Sequence, residues 1–342
     1  MELRIHQEND PKSWDHFVHS HPAGNLLQSW AWGEFNSQLG NKVWYFRVTD
    51  HQHQTVAQML AIKQKLFLGK YLIYAPRDLL IKKAAPAHTQ HQAMKLITDT
   101  VRSLATTETA ILWRVDPSIP HTDITSLSLY RSLGFIPSTK SVQPEENLVL
   151  DISGKAPNLL ANMKQKTRYN IGLTEKKGVA VKQSTHLDDI QVFLKLTRQT
   201  ADRGGFKPHS PTYYRQQFAA LLRHDTASLF IAYQNDTPLA AILVSYYGQT
   251  ATYLHGASSR AHKDLMASHL AQWAAIKEAQ RRGCVRYDMG GVSVDTHKPH
   301  WSGITRFKLG FGGKVVRYAP ALDLPLQPTW FRLYHTINQL RG

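Results

Sequence analysis

The residues of most distinctive chemistry in this chain are cationic, and many of them crowd one stretch. Lys155, Lys164, Lys166, Arg168, Lys176, Lys177 and Lys182 stand there against one acid, Glu175. Such a run suits a polyanion, attracted by long-range steering and held by counterion release; a solvated helix face is the competing reading. The whole sequence leans the same way, with 41 Lys and Arg against 25 Asp and Glu in 342 residues, a net charge of +16. Nucleic acid, anionic lipid headgroups and a phosphorylated substrate all answer to that charge. Other chemistries find less support. The 18 histidines are scattered, and the pairs His19/His21 and His51/His53 sit in polar, loop-like stretches, so no metal is expected. Cys284 is the single cysteine and can form neither an internal disulfide nor a paired-cysteine metal motif. A polar N-terminus without the apolar core of a secretory signal agrees with a reducing, cytoplasmic setting. No apolar run is long enough to cross a bilayer.

With 42% hydrophobic residues, the chain has material for two cores. Val43–Val48 alternates and is rich in β-branched and aromatic residues, which predicts a strand; Gln54–Leu68 and Tyr71–Tyr74 follow as its partners. Ala93, Leu96, Ile97, Val101 and Leu104 fall at helical spacing and predict a helix over Gln90–Leu104. Ala110–Val115 reads as a buried strand closed by Asp116-Pro117, and 126–135 as a short helix ended by Gly134. The same order returns downstream. Leu229–Tyr233, Ala240–Tyr247 and Thr250–His255 read as strands, Leu265–Arg281 as a helix stopped by Gly283, and Val285–Met289 as a strand. Leu133-Gly134-Phe135 and Leu309-Gly310-Phe311 close the two copies at similar intervals, which points to an internal duplication. Between the copies, Leu159, Leu160, Met163, Tyr169 and Ile171 predict a helix seated on a core with a cationic outer face. Trp330, Leu333, Tyr334 and Ile337 predict a terminal helix.

A hairpin sheet, a helix, a strand and then Leu-Tyr-x-x-Leu-Gly-Phe resembles the order of the GNAT acyltransferase fold, and LYRSLGF (129–135) carries the likeness. GNAT enzymes hold the acyl-CoA pyrophosphate on a Gly-rich turn at a helix N-terminus, where backbone N–H groups face the anion. Neither copy has that turn: KKAAPAHTQ precedes the first helix and SSRAHKD (258–264) the second. An acyl-CoA-dependent N-acyltransferase therefore stands as the alternative rather than the first reading.

Six further stretches, in order, resemble the Fem family (FemA, FemB, FemX). They are NLLQSWAWGEF (25–35), MKQKTRYNIGLTEKKGV (163–179), TADRGGFKPHSPTYY (200–214), YLHGASS (253–259), LMASHLAQWAAIKEAQRRGCVRYDMGGV (265–292) and RFKLGFGG (306–313). The resemblance implies an α/β (α+β) fold of two GNAT-like domains in tandem, mixed sheets flanked by helices. The first would span 1–152, with a C-terminal helix in 321–342 packing back on it, and the second 153–320. It implies an aminoacyltransferase that moves an amino acid from aminoacyl-tRNA to a stem-peptide amine of a peptidoglycan precursor, lipid II or UDP-MurNAc-peptide. The ester is already activated, so no cofactor is needed.

Residue by residue, the resemblance ties Phe307-Lys308 to catalysis. A fixed Lys308 ammonium would stabilise the oxyanion formed when an amine attacks the ester, and Phe307 could stack on the terminal adenine. Asp116 matches a carboxylate near the acceptor amine. Tyr213, Tyr253 and His255 match aromatic lining residues of the substrate cleft, to which Trp32 and Arg203 are added. Where the branch that uses a soluble UDP-linked precursor grips the diphosphate with Lys and Arg, this chain has Glu34 and His209. That departure fits a lipid-linked precursor, or phosphates held by Arg203, Lys207 or Lys63. Larger Fem enzymes carry a coiled-coil arm, and no heptads between Arg203 and Tyr233 are long enough for one. Lys164, Lys166, Arg168, Lys176 and Lys177 are then the candidates for tRNA contact, at a protein that works in the cytoplasm or peripherally at the membrane. A non-catalytic RNA- or membrane-binding protein remains the third reading.

Overall fold

The computed structural model describes residues 2–260, 262–294 and 301–339. The chain forms two units, residues 1–145 with 317–342, and residues 146–316. In the first, Arg4–Gln7, Val43–Thr49, Thr55–Lys65 and Tyr71–Ala75 pair antiparallel in sequence order, and Tyr71–Ala75 then pairs parallel with Ala110–Val115. Leu322–Pro325 lies antiparallel between Ala110–Val115 and the two-residue strand Ile136–Pro137. The parallel pair needs a crossover, and helix Ala87–Thr107 supplies it. That helix buries Ala93, Met94, Ile97 and Val101 in one core with Ile73 and Trp113. Helix Pro328–Gln339 brings Phe331 and Tyr334 against Leu72, Tyr74, Ile111 and Leu112.

The second unit repeats this order strand for strand. Val179–Ser184, Ala227–Gln234, Thr237–Tyr247 and Thr250–Ser258 run antiparallel, then Thr250–Ser258 pairs parallel with Arg286–Gly291. Glu146–Asp151 and Lys314–Arg317 complete the sheet. Helix Ala267–Arg281 is the crossover, with Leu270, Trp273 and Ile276 in the core beside Ile242 and Tyr287. Helices Ile190–Gly204 and Pro211–Arg223 pack on the sheet as well.

In each sheet the sixth strand comes from the chain that follows the other sheet's seventh. Glu146–Asp151 follows Ile136–Pro137 in sequence yet pairs with Arg286–Gly291, Leu150 opposite Tyr287. The units therefore divide at 145/146 and 316/317, not after 152 and 320 as the sequence suggested, because a strand belongs to the sheet that satisfies its backbone groups. Of the expected C-terminal span, residues 340–342 lie outside the described residues.

The basic stretch also differs from expectation. It is not one helix but two, Ala156–Asn162 and Gln165–Lys176, followed by strand Val179–Ser184. Met163 and Lys164 are extended between them. The Arg168 guanidinium folds back on the break, donating to the carbonyls of Ala161 (3.1 Å) and Met163. Tyr169, read as a core position, is 65% exposed.

Candidate active site

Lys308 lies in helix Ser302–Leu309, whose buried residues are Thr305 and Lys308. A lysine on an eight-residue helix would ordinarily reach into water. Here it is 8% exposed, and its Nζ donates to the Gly291 carbonyl at 2.7 Å. Gly290 lies beside it. Its φ of +73° suits glycine, and a Cβ there would stand 3.6 Å from Nζ. The Asp288 carboxylate, on the same strand, is held by the Gly290 N–H (2.7 Å) and Asn147 Nδ2 (3.0 Å). Burial pulls the Lys308 amine down to about 8, against the opposing pull of Asp288. It therefore stays largely protonated at neutral pH, close to the point where it would lose its charge.

The parallel pairing beside this lysine is short. Thr250–Ser258 matches Arg286–Gly291 only from Thr250/Arg286 to Thr252/Asp288. Leu254 is then an extra residue, since Tyr253 faces Val244 and His255 faces Leu243. The carboxyl ends of parallel strands are where open α/β sheets bind ligands. The second unit has a cavity of about 1080 Å³ there, lined in part by Tyr253, Gly256, Gln272, Trp301 and Phe307. Arg203 and Phe206 also line it, and among the described residues no acid does. Arg203 is oriented by Ser258 Oγ at 2.9 Å. The Lys308 ammonium stands 5.7 Å from the centre of the Tyr253 ring. Phe307 both lines the cavity and packs on the core, 5.3 Å from Phe311 and 5.1 Å from His269 between ring centres.

A second group of predicted residues clusters in the same unit. His209 stacks on Tyr213 at 4.0 Å, and His255 stands 6.0 Å from His209 and 5.0 Å from Tyr214. Burial lowers His209, and burial together with His209 takes His255 down to about 3. Both rings are therefore neutral at pH 7, and His209 offers a phosphate no cation there. The His255 ring is fixed by Gln217 Oε1 at 2.8 Å.

The remaining predicted residues separate by unit. Asp116, Glu34 and Trp32 are in the first. Asp116 is buried, and among the described residues its Oδ2 has no hydrogen-bond partner. Burial raises its carboxyl, with Tyr74, Arg77 and Gln143 acting the other way. Trp32 and Glu34 lie half-buried on helix Trp30–Gln38. Lys164, Lys166 and Lys176 are exposed in the second unit, where Lys177 pairs with Asp264 at 3.0 Å.

The FemAB family profile matches residues 10–127, 134–235 and 223–339. The chain belongs to the FemAB family. It is 24% identical to the lipid II:glycine glycyltransferase of Staphylococcus aureus (strain USA300), an alignment covering 96% of this chain and 93% of that protein. The alignment runs over 408 positions, more than the 342 residues here, so the relative carries insertions that this FemAB protein lacks. The crystal structure of FemX superimposes with a TM-score of 0.85 at 21% identity, covering 97% of this chain and 99% of that one. A tandem GNAT protein from the clavulanic acid biosynthesis pathway gives 0.60 at 14% identity, covering 96% and 99%. The fold of this FemAB protein is thus a tandem GNAT-like one.

Sequence reasoning passed over Gln272, Asp288, Phe206 and Trp301. Gln272 did carry a signal: it is a polar residue set among Leu270, Ala271, Trp273 and Ala275 on a helix that is otherwise apolar there. Asp288 had none, because its importance depends on where Lys308 folds.

Proposed function

We propose that this protein is an aminoacyltransferase that moves an amino acid from aminoacyl-tRNA to the stem-peptide amine of a peptidoglycan precursor, building an interpeptide bridge. The observation that carries the reading is the Lys308 ammonium, buried and fixed beside an aromatic cavity that among the described residues has no acid. A named relative, the lipid II:glycine glycyltransferase, supplies the substrate class. Four aromatic side chains and Arg203 suit the unpaired 3′ end of an RNA, in which each nucleotide offers a π-face and a phosphate. The amine attacks the ester carbonyl carbon, and a C–N bond forms. The tetrahedral oxyanion sits by the Lys308 ammonium, the ester C–O bond breaks, and the ribose oxygen leaves with a proton. The proton that the amine gives up is the one that departs on the ribose oxygen. Activation resides in the ester, so the reaction needs no metal or organic cofactor.

Lys164, Lys166 and Lys176, with exposed Tyr169 among them, are the proposed contacts to the tRNA body. A neutral His209 and half-buried Glu34 disfavour a free diphosphate and favour the lipid-linked precursor, met at the cytoplasmic face of the membrane. No helix among the described residues is long and apolar enough to cross a bilayer. The test is transfer of label from a mixed pool of charged tRNAs to lipid-linked and UDP-linked muropeptide, side by side. Label on the lipid-linked acceptor is expected. Label only from acyl-CoA would make the protein an ordinary GNAT enzyme and remove this reading.

A further inference from the structure

Gln272 lies on helix Ala267–Arg281, is 0% exposed as a residue, and lines the cavity beside Tyr253 and Phe307. Its amide is oriented by one bond: the Tyr287 hydroxyl donates to Oε1 at 2.7 Å. With the oxygen held, Nε2 is turned the other way, and among the described residues it makes no well-formed hydrogen bond. A buried amide N–H left unmatched is costly, and proteins keep few such groups. The polar group next to it is the Tyr253 phenol, which burial pushes up to about 12 against the opposing influence of the Gln272 amide, so it keeps its proton at neutral pH. The phenol is itself positioned by a close approach. Gly256 carries no side chain, and a Cβ there would overlap Tyr253 Oη. Two donor groups, the Gln272 amide and the Tyr253 phenol it bears on, thus stand side by side at a cavity wall, with the Tyr253 ring centre 5.7 Å from the Lys308 ammonium.

We propose that Gln272 Nε2, with Tyr253 Oη, donates to the carbonyl oxygen of the aminoacyl ester and to the oxyanion that forms from it. The assignment rests on the aminoacyl-transfer reading above. It gives the cavity a neutral two-donor hole and leaves Lys308 to supply the charge. The bonds tighten as the carbonyl oxygen becomes an oxyanion, so the effect falls on turnover rather than on donor affinity.

The experiment measures turnover of full-length protein with glycyl-tRNA and lipid-linked muropeptide. Gln272→Met should lower kcat about 10²-fold while the donor KM stays within a few-fold, the scale seen for one oxyanion donor. Because Met also deprives Tyr287 of its acceptor, Gln272→Glu is the second variant. It keeps an oxygen for Tyr287 but, once ionised, cannot donate. Its activity should be low at pH 8 and recover relative to wild type as the pH falls and the acid regains an O–H. Gly256→Ala, at an exposed position, should displace the phenol and mimic Tyr253→Phe. Wild-type kcat in folded Gln272→Met, or no relative recovery of Gln272→Glu at low pH, overturns the role of Gln272 alone. A wild-type protein that transfers nothing from glycyl-tRNA or any other charged tRNA overturns the parent reading, and this one with it.

Discussion

The two sheets share one strand order and differ in what occupies the end of the parallel pair. In the first unit Tyr71–Ala75 stays matched to Ala110–Val115 to the last residue, Ala75 opposite Val115. In the second the match ends at Thr252/Asp288 and a cavity begins. Counting from Ala110 and Arg286, or from Leu133 and Leu309, Arg114 corresponds to Gly290 and Ser132 to Lys308. Arg114 fills its position, gripping Asp323 with two bonds of 2.7 Å and reaching the Tyr334 hydroxyl at 3.3 Å. Gly290 carries no side chain at its position and Lys308 Nζ lies beside it, while Ser132 stays exposed. One copy uses the space for an internal ion pair and the other for a substrate-sized opening. The same strand order thus holds a buried ion pair in one unit and borders a cavity in the other.

The largest effect should come from unmaking the filled copy. Arg114→Met leaves the Asp323 carboxylate buried without its partner, at a cost of about 3–5 kcal/mol. Denaturant unfolding of the whole protein should register that loss. Little change would mean the ion pair does not hold Leu322–Pro325 in the first sheet.

Lys308→Met probes the open copy and should act in the opposite direction on stability. The unfolded lysine holds its proton up to its ordinary value, whereas the folded one holds it only up to about 8. Between those limits the unfolded chain binds more protons, so stability rises with pH there, and below about pH 8 the penalty is fully present. Removing the amine at pH 7 should therefore stabilise the fold. Taking the drop to about 8 at 1.36 kcal/mol per unit gives about 3 kcal/mol, less about 1 kcal/mol for the lost bond to Gly291. Transfer should fall by about 10²-fold or more. A variant that is inactive but no more stable would mean that the buried lysine costs the fold nothing.

His255, buried in the second unit, gives a further test. Its depressed folded value means that the unfolded chain takes up a proton as the pH falls below the ordinary histidine range, while the folded ring stays neutral down to about 3. Stability should be lost on acidification through that window. Replacement by Gln, which can still bond to Gln217, should flatten the acid limb of a melting-temperature profile. An unchanged limb would assign the acid sensitivity elsewhere.

Much of the strand order was legible because alternation and β-branching mark buried strands locally. Ala110–Val115 matches its predicted bounds to the residue. Leu322–Pro325 was not legible: four residues ending in proline carry no periodic signal, and its pairing partner is some two hundred residues away. The site divides similarly. Phe307-Lys308 could be named through family resemblance, but nothing near Lys308 in sequence says that it is buried. That depends on Gly290 and Gly291, which lie well upstream. Gln272 escaped notice for the same reason, because what makes it informative is the Tyr287 hydroxyl holding one end of its amide.

The smallest change that tests the comparison puts a side chain back where the first copy has one. Gly290→Ala places a methyl group 3.6 Å from Lys308 Nζ, ordinary contact rather than overlap. The cost should come from the backbone, since φ of +73° is left-handed and costs an L-residue about 1–2 kcal/mol. The methyl also removes polarisable surroundings from the ammonium, so its charged form should be disfavoured further. The alkaline limb of the transfer rate should then move to lower pH, with less than tenfold loss at pH 7. Loss of stability with no movement of that limb would show that the alkaline limb is set by a group other than Lys308. A shift in the expected direction would tie the glycine, the buried amine and the rate together as parts of one device that the first copy lacks.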